Sequence, residues 1–230
     1  MTEDLDPYAA LDAARGHRSA VWRFITDFAA YWDCPLTAGD GYRGAELDAA
    51  EQRLGLRLPA ALREAYELFG RRDDLTRSHN RLLKPDELFV RHDALVYREE
   101  NQGCALWGIL LADLDQDDPA AVVRPDLVDK SQERWRPWES RVSLACVELV
   151  MFEMVLDGEG LTDHLIRPEP ELDLTHNYRQ LLMTGKEIRW FVTPDVLIAE
   201  VEGAWLSVRA RTQRALDDIR DELYGDWLKG

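Results

Sequence analysis

Long apolar runs are missing from this chain of 230 residues. No window approaches the ~18 consecutive apolar residues of a membrane-spanning helix, so no such helix is expected. The first residues, Met-Thr-Glu-Asp-Leu-Asp, are acidic and lack an apolar core, which excludes a secretory signal. Cysteine is scarce and odd in number. Cys34, Cys104 and Cys146 are scattered, give neither a disulfide framework nor a zinc pattern, and read as buried free thiols in a reducing cytoplasm. Cys104 has apolar neighbours and is expected to be a buried thiol rather than a nucleophile. The histidines (His17, His79, His92, His164, His176) never share the i, i+3 or i+4 spacing of one predicted helix, so no metal site is expected. Glycine-rich phosphate loops and the G-x-S-x-G elbow are absent. No cofactor and no catalytic residue is expected, which excludes the common enzyme classes.

Positive charge is also in short supply. Forty-four acidic residues face 28 basic ones, a net charge of −16. Such a surface repels nucleic acid and anionic lipid, whose binding rests on Lys and Arg contacts to phosphate. It favours solubility and draws basic partners. Lysine occurs only at Lys84, Lys130, Lys186 and Lys229. With abundant Ala and Leu, this arginine-based composition fits a GC-rich bacterial genome.

What is present is a set of regular patterns. Residues 1–17 have weak periodicity and read as a lead-in. Val21, Ile25, Phe28 and Trp32 then recur at helical spacing over 19–32. Leu47, Ala50 and Leu54 share a face of a short helix that Gly55 ends in a left-handed conformation. Pro59 suits the first turn of the next, which carries Leu62, Ala65, Tyr66 and Phe69 and closes on Gly70. A change of period follows. Ala94–Tyr97, Ala105–Leu111 and Ala120–Val123 read as strands, and 125–137 as an irregular excursion. Residues 143–156 are apolar all round except for Glu148 and Glu153, the mark of a buried helix. Residues 159–173 read as an acidic loop and 175–183 as a modest helix. Ile188–Val192, Val196–Glu200 and Ala204–Val208 form an antiparallel meander. A last helix begins at Thr212 and carries Leu216, Ile219, Leu223 and Trp227 on one face. The expected fold is α+β: a mostly antiparallel sheet of about six strands, helices packed on one side, and an N-terminal helical extension over 1–40 preceding a domain over 41–230.

The stretch Leu95–Trp107 stands at the centre of this pattern. Two apolar runs flank Glu99-Glu100-Asn101-Gln102-Gly103, a polar corner suited to a hairpin. Adjacent Glu99 and Glu100 point to opposite faces of a strand and cannot act as a catalytic pair. Asp113, Asp115, Asp117 and Asp118 lack the sixth-position glycine and twelfth-position glutamate of a calcium loop, and read as a solvated loop or a contact for a basic partner. Trp107 is assigned to the core or the floor of a groove. Trp135 and Trp138 are candidates for a contact surface, because tryptophan concentrates at binding hot spots.

Several motifs, in order, resemble one family. They are Glu51 with Leu54-Gly55, Leu58-Pro59, Leu62-Arg63, Tyr66 and Gly70; Asn80-Arg81-Leu82; Pro85-Asp86-Glu87-Leu88; Glu100-Asn101-Gln102-Gly103 with Trp107-Gly108; and Asp117-Asp118-Pro119 with Val122. Over about residues 44–157 the chain resembles the SMI1/KNR4-like proteins of the SUKH superfamily. The resemblance implies an α+β fold with no known catalytic centre. Bacterial members look like immunity proteins that bind and neutralise a cognate toxin, often a nuclease; fungal relatives act as regulatory hubs. The reading that follows is a cytoplasmic protein-binding module that neutralises a basic toxin domain. Glu99, Glu100, Asn101, Asp115, Asp117 and Asp118 would make its polar contacts, with Trp107 and Trp135 as apolar anchors. The alternatives are a scaffold or regulator without a toxin partner, and a carboxylate-dependent hydrolase.

Overall fold

The computed structural model describes residues 5–166, 174–183, 188–201, 203 and 205–229. Its first third is helical. Pro7 opens α1 (Pro7–Gly16), and the Asp6 carboxylate accepts from the N–H groups of Tyr8 and Ala9. α2 (Arg18–Tyr31) buries Val21, Phe24, Ile25 and Phe28, the i, i+3, i+4, i+7 stripe of an amphipathic helix. α3 (Gly44–Leu54) ends on Gly55 at φ 69°, where a side chain would be strained. α4 (Ala60–Phe69) starts after Pro59, and the single turn α5 (Asp73–Thr76) follows. Gly41 meets α4 so closely that a Cβ there would stand 1.6 Å from the Glu67 carbonyl oxygen.

Two antiparallel sheets make up most of the rest. The first joins β1 (Arg81–Leu82), β2 (Phe89–Arg91), β3 (Ala94–Glu99), β4 (Ala105–Leu110), β5 (Ala121–Pro125) and β6 (Arg136–Glu139). Its order is β1-β3-β4-β5-β6, with β2 also on β3. α6 (Val142–Leu156) comes next. The second sheet holds β7 (Thr162–Ile166), β8 (Gln180–Leu181), β9 (Ile188–Val192), β10 (Val196–Val201) and β11 (Trp205–Ala210). After α7 (Gln213–Glu222) it is completed by β12 (Asp226–Trp227). Its order is β12-β7-β11-β10-β9-β8.

α6 is buried nearly all round because both sheets and the N-terminal helices close on it. Val147, Val150, Met151 and Val155 share one core with Phe24, Phe28, Leu62, Tyr66, Leu95 and Ile109. The second sheet is apolar on both faces. Trp190, Val192, Leu197 and Ala199 join that core, while Phe191, Ile198, Leu206 and Val208 pack with Leu216, Ile219 and Leu223 of α7. Successive strand residues face opposite ways, so one meander serves two cores. No helix among the described residues is long and apolar enough to cross a membrane.

The α+β class is as expected, with twelve strands in two sheets among the described residues where the pattern marked about six in one. Six strands make the surplus: β1, β8 and β12 are two residues each and β2 three, too brief to show a period, while β6 begins in the stretch read as an irregular excursion and β7 lies in the one read as a loop. The lead-in contains α1, and α2 lies in the main core rather than in an appended layer. The loop expected over 159–173 includes strand β7; residues 167–173 lie outside the described ones, as does part of the third meander strand. Instead of a helix over 175–183 there is a 3-10 turn (Leu174–His176) followed by β8. Leu174 and Tyr178 go to one core and Leu181 to the other, a division no single helical stripe can make. Trp227 leaves the face of α7: it stands on β12, and its indole N–H donates to the Leu223 and Arg220 carbonyls at the helix end.

Candidate partner-binding site

One carboxylate holds the β3–β4 corner. Glu100 Oε2 accepts from the N–H of Gln102 at 2.8 Å and of Cys104 at 2.9 Å. Gly103 takes φ 77°, and its N–H meets the Glu100 carbonyl at 3.0 Å. Glu99, still on the strand, turns away and pairs with Arg81 at 2.6 Å. Asn101 is exposed, and its Nδ2 donates to His79 Nδ1 at 3.3 Å, which leaves the proton of a neutral ring on Nε2. The His79 ring also packs edge-on against Phe152, 5.8 Å between centroids. Desolvation lowers its pKa, against the pull of Glu100.

Beneath the corner lies a charge cluster that sequence reasoning did not assemble. The β3–β4 register shifts between Val96 and Arg98, so a bulge turns Arg98 inward. Its guanidinium is 2% exposed and reaches Glu148 Oε2 at 2.9 Å and Glu153 Oε1 at 3.2 Å, both on α6. It also stacks on the Trp107 ring, 4.5 Å from the centroid. Glu148 accepts from Trp138 Nε1, and Glu153 from the N–H groups of His79 and Asn80. Burial pushes both carboxyls up, and a single guanidinium does not offset two desolvated charges. The cluster fixes the corner to α6.

Over the corner opens a cleft of about 540 Å³. Arg77, Arg81, Arg91 and Arg124 face Glu99, Glu100, Asp126 and Glu133 across it, so its formal charge is balanced. Most of these groups already pair, as Arg81 does with Glu99 and Arg124 with Glu133. Glu99, Glu100 and Asn101 all line this cleft.

The aspartate loop is elsewhere and serves two helices. The Asp117 carbonyl accepts from Ala61 N–H in the first turn of α4, and the Pro119 carbonyl from Val142 N–H in the first turn of α6. The Asp118 carboxylate accepts from Ser143 N–H at 2.9 Å and Ser143 Oγ at 2.6 Å. Helix N-termini carry unpaired N–H groups and partial positive charge, so an acidic loop suits this place. Asp118, with a side chain only 11% exposed, is a cap rather than a contact for a partner. Asp115 and Asp117 remain exposed, and Asp117 lies 3.7 Å from Arg18.

Trp107 is buried at 6% exposure under Arg98, which corrects the expectation of a contact anchor. Trp135 is half-buried, lies over Gly108 and donates to the His92 carbonyl at 2.8 Å. Cys104 is exposed, contrary to expectation, because it stands in the turn rather than on the strand. Cys34 is half-buried and Cys146 buried. No cluster of three or more His, Cys, Asp or Glu side chains among the described residues is arranged to hold a metal.

Sequence reasoning missed His79 and the Arg98 cluster. The available signal was Glu148 and Glu153: two charges inside a wholly apolar helix call for a buried cation. No family model matches this chain, and no curated protein or solved structure matches it. The SUKH resemblance rests on the motifs quoted above.

Proposed function

We propose that the protein is a non-enzymatic binding module of the SUKH kind, a bacterial immunity protein that occupies a cognate basic toxin domain and blocks its substrate groove. The observation that carries this reading is the net charge of −16. A nuclease domain is basic because its substrate is a polyanion, and an acidic inhibitor competes for the same field. Exposed Asp115 and Asp117 add to that field, and the cleft at Glu99, Glu100 and Asn101 supplies a shaped polar surface. On this reading the protein acts in the cytoplasm.

The test is co-expression with the product of the neighbouring gene. The expected result is rescue from growth arrest, with an association rate that falls steeply between about 50 and about 500 mM salt. Absence of rescue removes the toxin partner and leaves a scaffold or regulator. A salt-independent rate removes the electrostatic part.

A further inference from the structure

A pocket of about 390 Å³ lies where the first two helices meet the turn between β9 and β10. Tyr8 of α1 and Phe28 and Tyr31 of α2 line it, with Trp32 just past α2, Pro194 in the turn and Arg211 just past β11. The rings stand against one another. Tyr31 meets Trp32 edge-on at 5.9 Å between centroids, and Phe28 meets it at 6.1 Å. A concave space of this size, with aromatic walls and a few polar groups, is the usual form of a small-molecule site. It shares no lining residue with the cleft at the β3–β4 corner.

The polar groups on its walls are one-sided. Acceptors are in use: the Tyr31 hydroxyl donates to the Pro194 carbonyl at 2.5 Å, the Tyr8 hydroxyl lies 2.7 Å from the Val192 carbonyl, and the Asp6 carboxylate caps α1. Two buried donors are not. Neither the indole N–H of Trp32, a residue 2% exposed, nor the Nε–H of Arg211 has an acceptor among the described residues. Buried donors are nearly always paired, so two orphans on one pocket call for an acceptor. Arg211 lies over the Tyr31 ring, 4.2 Å from its centroid, and its Nη1 stands 3.9 Å from Asp195. Its side chain is 31% exposed, so a small turn opens the Nε–H to an incoming atom. Charge disfavours an ion of either sign. The guanidinium repels a cation, while Asp6 on the lining and Asp195 beside Arg211 already offset it against an anion.

We infer that this pocket binds a small uncharged aromatic molecule bearing a carbonyl oxygen. Its ring lies among Tyr8, Phe28 and Tyr31, and its oxygen supplies the acceptor that Arg211 and Trp32 lack. A carbonyl oxygen has two lone pairs and can accept from both. The aromatic walls supply affinity. The donors supply selectivity, because a ligand without an acceptor leaves them unpaired. This goes beyond the partner-binding function proposed above and does not depend on it.

The test is titration of the full chain with three probes of one shape, followed by NMR of the tryptophan indole N–H groups. The probes are naphthamide, which is uncharged, naphthoate, an anion, and naphthylmethylammonium, a cation. Naphthamide is expected to bind about tenfold more tightly than either ion. It is expected to shift the indole signal of Trp32 downfield, as a new hydrogen bond does, and to leave that of Trp107, buried under Arg98, in place. Arg211→Met keeps an apolar stem and removes the donor, and is expected to weaken naphthamide about tenfold. If Arg211→Met does not fold, the order of the probes and the Trp32 signal of the wild type give the decision. No binding of naphthamide, equal or tighter binding of either ion, an unmoved Trp32 signal, or equal affinity of naphthamide for wild type and Arg211→Met overturns the inference.

Discussion

Two centres of buried carboxylate, one beside each sheet, are alike in surface exposure and behave oppositely. Glu148 and Glu153 are 4% and 0% exposed, and Asp163 is 0% exposed. Burial pushes all three carboxyls up. At Asp163 that push is reversed by the Arg220 fork, at 2.6 and 2.9 Å, and by the N–H groups of His164 and Lys229. Its pKa ends below the usual aspartate range, while those of the two glutamates end above theirs. The difference teaches that exposure does not fix the sign. What decides it is the balance of depth against charge: Asp163 lies less deep and has a guanidinium fork to itself, whereas Glu148 and Glu153 lie deep in the core and share one guanidinium.

The largest expected effect comes from removing that guanidinium. Arg98→Met leaves two buried carboxylates without a cation and is expected to cost about 3–5 kcal/mol in denaturant unfolding. A loss under about 1 kcal/mol would mean that the glutamates are protonated in the native state and need no partner. Arg220→Ala is expected to cost less, about 1–3 kcal/mol, because Asp163 keeps two backbone donors. If the two substitutions cost the same, the sharing of one guanidinium by two deep carboxylates is not what separates the centres. Glu148→Gln removes the surplus charge, keeps an acceptor for Trp138, and is expected to stay within about 1 kcal/mol of wild type at neutral pH.

The smallest effect is the shape of the pH profile. The lowered pKa of Asp163 makes its contribution present above its unfolded value near 3.8, and lost as pH falls through the native value. The raised glutamates do the reverse. Their contribution is present below about 4.5 and lost as pH rises through the native values. Thermal melts across pH are expected to show Arg220→Ala flattening the acid limb and Glu148→Gln flattening the decline above it. Exchange of these two outcomes would reverse the assignment of the centres.

Sequence patterns are legible where one period runs long enough. The stripe of α2, the Gly55 and Pro59 punctuation, the apolar run of α6 and the Thr212 cap of α7 are all visible without coordinates. Two-residue strands are not, since alternation needs more residues than β1, β8 or β12 contain. The corner was visible as a turn, and its polar residues do meet at one cleft. The aspartates were visible as charge but not as caps, because a cap is defined by the helix it meets in space, here α6 for Asp118. Trp107 and Trp205 show the same limit. Both are strand tryptophans, and only the layers above them decide that one is buried at 6% and the other exposed at 41%.

The enclosure of α6 has a consequence for how the chain is made. Its apolar surface is covered from one side by α2 and α4 and from another by β10 and β11. When residue 156 has left the ribosome, β10 and β11 have yet to emerge, and that side of α6 is bare. The nascent chain must carry an unprotected apolar helix for as long as the remaining residues take to appear. At ordinary rates of synthesis, about 5–20 residues per second, that interval is several seconds. Aggregation and chaperone capture therefore compete with folding at this one stage, and variants that weaken the late-made β10–β11 pair lengthen the exposure without touching any residue made before it.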